Sequence, residues 1–171
     1  MNFTDRKNIH IILLNLKESS IDLPNFTSVI GDATNLQGYS HNEFDIVYSN
    51  SIIEHLFSFD NQKLMADEVR RVGKNYFIQT PNYFFPIEAH WKFPFFQHLP
   101  FKVRVFIDMH FYPANYLVYV KPIRTYESAV LRVSEVKLLS EKEMKSLFPE
   151  GKVYREKYLG FTKSISMYYF S

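Results

Sequence analysis

Along the first half of the chain, short apolar runs alternate with polar breaks, and that punctuation lays out the elements. Ile9–Leu14 (IHIILL) closes at Asn15, and Thr27–Ile30 closes at Gly31-Asp32-Ala33. Phe44–Tyr48 (FDIVY) closes at Ser49-Asn50-Ser51, and Tyr76–Thr80 closes at Pro81-Asn82. Short runs this rich in β-branched and aromatic residues have the composition of strands buried on both faces of a parallel sheet. After the third run, Ile52–Leu56 takes on a helical look. From Asp60 the period lengthens: Leu64, Met65, Val69 and Val72 share one helical face, with Asp60 placed as the cap. Arg70, Arg71 and Lys74 stand at the negative end, and Gly73 is the stop. Strands separated by such a helix predict an α/β fold with a mostly parallel sheet. Parallel neighbours bring their carboxyl ends to one edge, so Asn15, Asp32-Ala33, Ser49-Asn50 and Thr80-Pro81-Asn82 should line one crevice.

The pattern changes after Asn82. Aromatic residues crowd the stretch from Tyr83 to Val120 and are broken up by Pro86, Pro94, Pro100 and Pro113. Prolines at that density forbid long regular elements, so this stretch predicts an irregular aromatic layer with one helix around Phe101–Phe111. Residues 83–135 are expected to form a lid or substrate-side insertion within a single domain. Tyr126–Val133 returns to helical spacing. At Leu139-Ser140-Glu141-Lys142-Glu143-Met144, Ser140 and Glu143 make a capping box and Leu139 and Met144 a hydrophobic staple, starting a helix that ends at Phe148-Pro149. Val153–Leu159 and Ser164–Phe170 are two last strands whose short connection requires antiparallel pairing.

Composition narrows the function. The 171 residues suffice for one domain with a substantial core. A formal charge of +2 gives no reason to expect nucleic acid or an anionic membrane as partner. With no cysteine, disulfides and thiolate metal sites are excluded, which fits a cytoplasmic location. No apolar run approaches the roughly 20 residues that span a bilayer, and Met1–Lys7 is too polar for a signal peptide. Glu88, His90, His98 and His110 are spaced irregularly among prolines and aromatics, with no HxxxH or HxH pattern, so no metal is expected. His90-Trp91 is read as a wall of the substrate pocket.

Four pieces, in this order and spacing, resemble class I S-adenosylmethionine-dependent methyltransferases of the type 11 kind. They are Gly31-Asp32-Ala33 after a strand, FDxVxSNxxxEHL over Phe44–Leu56, the crossover helix into Tyr76–Thr80, and the closing LLSEKEMKSLFP with its terminal hairpin. The resemblance implies a Rossmann-like sheet and methyl transfer from S-adenosylmethionine to a small-molecule acceptor. It places Asp32 and Ala33 at the adenine, and Ser49, Asn50 and Ser51 along the methionine portion of the cofactor. Asn15 stands where the family has an acidic residue for the ribose hydroxyls. Glu54 and His55 face the substrate entrance, and either would serve as general base if the acceptor must lose a proton.

The departures are equally specific. The usual first strand and its glycine-rich loop are missing before Ile9, which removes a principal cofactor contact. Three arrangements follow: the strands at Ile9–Leu14 and Phe44–Tyr48 pair directly, another chain or element fills the slot (as in a homo-oligomer), or the chain is an amino-terminally truncated form of a longer protein. The alternative function is a non-catalytic methyltransferase-like binding or assembly subunit that has lost its cofactor.

Overall fold

The computed structural model describes residues 9–18, 21, 23–111 and 125–171. β1 (Ile11–Asn15) and β2 (Phe26–Ile30) pair in parallel as a two-stranded sheet, with Ile11 opposite Phe26 and Asn15 opposite Ile30. A second sheet has four strands in the order β3-β4-β6-β5: β3 (Val47–Asn50), β4 (Tyr76–Pro81), β5 (Lys152–Tyr158) and β6 (Phe161–Tyr169). Only β3 and β4 run parallel there, because β6 pairs antiparallel with both β4 and β5. The expectation of a mostly parallel sheet is therefore corrected: parallel pairing is confined to two separate strand pairs. Direct pairing of the first and third strands is also excluded, since among the described residues β1 bonds to β2 and β3 to β4.

The strand boundaries shift for a physical reason. Pairing with β4 carries β3 through Ser49 and Asn50, opposite Ile78 and Gln79, so polar residues read as a terminus belong to the strand. β3 is also not buried on both faces, since Tyr48 is exposed, as is Ile46 just before it. The chain turns at Ser51, whose φ of 54° is left-handed. Beyond it, Ile53–His55 forms one 3-10 turn where helical spacing was read.

α1 (Phe59–Val72) is the crossover between β3 and β4. Its cap is Ser58, whose hydroxyl accepts from the Asn61 amide, and not Asp60, which sits in the first turn. Met65, Val69 and Val72 face the core as expected, joined by Ala66 and Gln62, while Leu64 is exposed. Gly73 ends the helix through close approach. Its φ is −99°, but a Cβ there would lie 2.7 Å from Val47 Cγ2 and 2.9 Å from the Asn75 carbonyl oxygen.

Two hydrophobic cores result. The first lies between α1, the four-stranded sheet and α4 (Glu141–Leu147), and includes Ile53, Met65, Val69, Ile78, Leu139, Phe148 and Met167. Ser140 and Glu143 close the expected capping box on α4. The second core, Trp91, Phe96, Val105, Ala129 and Val133, belongs to the aromatic stretch and is built by α2 (Phe101–Phe111) packed on α3 (Tyr126–Glu135). The part of the expected lid at 112–124 lies outside the described residues, as does Met1–Asn8. The terminal hairpin turns on two residues, Leu159 and Gly160, both with left-handed φ, so its strands reach closer together than the sequence reading had them. No helix among the described residues is long and apolar enough to cross a membrane.

Candidate functional site

The turn after β3 delivers the chemistry. Because Ser51 reverses the chain, Glu54 points inward and is completely buried. Its Oε2 accepts from the Thr80 hydroxyl at 3.0 Å, and its backbone oxygen accepts from the Lys137 amide at 2.8 Å. Its Oε1 meets no donor among the described residues. Burial is the largest influence on this carboxyl and raises its pKa above the ordinary value, against the hydrogen bonds and nearby imidazoles.

His55, next along the turn, meets His90 edge to face. The two Nε2 atoms are 3.2 Å apart, the ring centroids 4.9 Å apart and the planes at 88°. On its far side His55 Nδ1 lies 3.5 Å from Glu135 Oε1, at the end of α3. His90 Nδ1 donates to Glu88 Oε1 at 2.7 Å. The backbone amides of His90 and Trp91 donate to Glu88 Oε2 at 2.6 and 2.7 Å, so three donors hold this buried carboxylate. Burial works against charge on His90, but the Glu88 carboxylate outweighs it and the net shift of the imidazole is upward.

Beside this cluster lies a cavity of about 470 Å³ whose walls include Phe57, Tyr83, Glu88, Phe96 and Arg104. Trp91 also lines it but is 4% exposed and is tied by Nε1 to Asp108 Oδ1 at 2.8 Å, with Arg132 on the other face of the same carboxylate. Trp91 is thus a fixed structural wall, and His90 turns toward His55.

The residues expected at the cofactor stand at successive strand ends. Asn15 is half-buried at the end of β1, and its carbonyl accepts from the Gly31 amide at 3.0 Å. Asp32 is exposed, and its Oδ1 accepts from the Thr34 amide and hydroxyl, both at 2.8 Å. Ala33 packs against the first core, which brings the turn after β2 onto the core to which Ile53 and Leu56 also belong. Ser49 is buried with its hydroxyl unpartnered, Asn50 is exposed, and the Ser51 hydroxyl donates to Gln79 Oε1 at 3.0 Å. The roles of Glu88, Glu135 and Thr80 in the cluster were not legible beforehand. Glu88 carried a signal in its nearness to His90 and Thr80 in its place at a strand end, whereas Glu135 carried none.

These strands and helices define an α/β domain. Residues 6–76 match the family described as Methyltransferase domain, in line with the resemblance read from the sequence. Two uncharacterized proteins of Mycobacterium tuberculosis, from strains CDC 1551 / Oshkosh and H37Rv, are each 35% identical over 57 residues. That match covers 33% of this chain and 20% of each relative, so the chain spans about a fifth of the length of the curated relatives it matches. Among solved structures, the PH0226 protein of Pyrococcus horikoshii OT3 is 15% identical, with a TM-score of 0.52 over 94% of this chain and 72% of that one. A SAM-dependent methyltransferase of Methanosarcina mazei is 14% identical, with a TM-score of 0.42 over 84% of this chain and 65% of its own.

Proposed function

We propose that the chain performs S-adenosylmethionine-dependent methyl transfer to a small-molecule acceptor. The observation that carries this reading is the family match over residues 6–76, which takes in β1, β2, β3 and α1 and with them both turns expected at the cofactor. The side chains at those turns fit such a ligand. Asp32 is exposed with only Oδ1 engaged, and Asn50 offers an exposed amide beside the left-handed Ser51. When bound, the cofactor supplies a methyl group on a sulfonium, already carrying its leaving group.

The protein's share is then alignment and exclusion of water. Asp32 would hold the adenine amino group with Ala33 beside the ring, Asn15 a ribose hydroxyl, and Ser49, Asn50 and Ser51 the methionine end. Glu54, His55 and His90 form the polar end of the site, and the cavity beside them would take the acceptor between Phe57, Tyr83 and Phe96.

Calorimetric titration with S-adenosylhomocysteine tests the reading. One site is expected, weakened about tenfold or more by Asp32→Asn, which keeps an acceptor for Thr34. No heat at millimolar ligand would overturn it. The edges of β1 and β3 that bear no strand among the described residues favour a second reading, a non-catalytic assembly module. A stable homo-oligomer in native mass spectrometry together with a blank titration would establish that alternative.

A further inference from the structure

The histidines of this chain are scattered in sequence, yet the fold brings two of them and a carboxylate to one point. Glu54 and His55 come from the turn after β3, and His90 comes from the loop after β4. One donor atom from each lies within 4.8 Å of the other two. A hydrogen bond orients one of the two rings. His90 Nδ1 is 2.7 Å from Glu88 Oε1, so the ring proton sits on that side and Nε2 presents a lone pair. His55 Nδ1 lies 3.5 Å from Glu135 Oε1 and makes no hydrogen bond among the described residues, so this ring takes either tautomer, and one of them turns the Nε2 lone pair towards His90.

The two Nε2 atoms are 3.2 Å apart: in one tautomer of His55 its ring donates to His90, and in the other two lone pairs face each other and need a cation between them. Glu54 adds the missing counterpart: it is completely buried, its Oε2 is held by Thr80, and its Oε1 meets no donor among the described residues. A buried carboxylate in that condition is costly unless a cation or a proton neutralises it. With metal–nitrogen bonds of about 2.0–2.1 Å, two nitrogens on a tetrahedral zinc ion lie about 3.3–3.4 Å apart, close to the separation found here.

We propose that Glu54, His55 and His90 bind one divalent cation of the zinc type, leaving a fourth position for water or an acceptor oxygen. Glu88, fully engaged by three donors, is a positioning residue: it orients His90 as carboxylates orient metal-bound histidines. Binding of the cation does not depend on the methyl-transfer reading, and a failure of one leaves the other standing.

The experiment is a calorimetric titration of zinc chloride into the full chain after chelator treatment, with circular dichroism on every variant. One equivalent should bind. Glu54→Gln, His55→Ala and His90→Ala should each weaken binding by at least about tenfold, and Glu88→Gln by roughly 10- to 100-fold. His41→Ala, an exposed site elsewhere, should change nothing. Cobalt added to the unaltered protein should give the visible bands of a four-coordinate ion, a readout independent of any variant's folding. Absence of zinc binding, cobalt bands of a six-coordinate aquo ion, or undiminished affinity in a folded His90→Ala protein would overturn the proposal. So would binding lost with His41. A proton shared by the two imidazoles would then account for their approach.

Discussion

Gly73 shows how a single atom can be forbidden without any unusual dihedral. Its missing Cβ leaves room for Val47 of β3 and for the Asn75 carbonyl, so Gly73→Ala should destabilise by about 1–3 kcal/mol through overpacking. A lower denaturant midpoint at unchanged slope is the expected signature, and an unaltered midpoint would refute the packing argument. A second test at this scale concerns Glu141, whose oxygens accept from Arg155 at 2.6 Å twice and pair with Lys145 at 2.8 Å. The Arg155 hydrogen bonds, then Lys145, hold its carboxyl down to about 2 from the usual 4.5. A folded value below the unfolded one means stabilisation that is complete above the unfolded pKa and lost as pH falls through the folded one. The stability gap between the unaltered protein and Arg155→Gln should therefore be largest above about pH 5 and close towards pH 2; a pH-independent gap would show that the pair acts through packing. The family resemblance named Glu54 and His55, by their place in the turn after the third strand. Thr80 was named only as a strand end, not as the partner of Glu54, and Glu135 was not named, because both matter through distances that no local pattern encodes.

At the level of elements, local rules succeeded where the partners were close in sequence. The capping box on α4 is such a case: Ser140 Oγ accepts from the Glu143 amide, and the Glu143 carboxylate accepts from the Ser140 amide. Ser140→Ala should cost about 1 kcal/mol, read as a lower thermal midpoint, while Ser140→Asp should restore most of it. Equal midpoints for all three proteins would mean that the sheet and α1 already fix this helix. Local rules failed at α1, where both Ser58 and Asp60 are capping residues and only the chain's path selects the serine. They failed again at β3, because a polar Ser49-Asn50 reads as a break until one sees β4 beside it donating and accepting along the whole strand. The direction of β6 was readable from a short connection, but its insertion between β4 and β5 depends on contacts across most of the chain.

For the whole molecule, the α/β character was readable, and the division into two sheets was not. A sheet's continuity depends on which edges find partners, and hydropathy is silent about edges. The division into two cores was equally hidden, since Trp91 and Phe96 look no different in sequence from the aromatics that remain exposed nearby, such as Phe84 and Phe95.

One buried side chain ties together elements that serve those two cores. Gln62, on α1, sends its amide nitrogen to the carbonyls of Ile53 and Lys137 at 3.0 and 2.8 Å. It thereby fastens the segment leaving α3 to the turn that carries Glu54 and His55. Gln62→Leu would keep the bulk and remove that side-chain link, leaving the Lys137 amide on the Glu54 carbonyl as the backbone one. In native-state hydrogen exchange, amides of α2 and α3 should then open sooner than those of β4 and β6, as a unit of lower local stability. The aromatic half would breathe while the sheet stayed shut, giving a small molecule a way in and out that requires no global unfolding. Uniform acceleration throughout the chain would instead mean that the two halves melt as one.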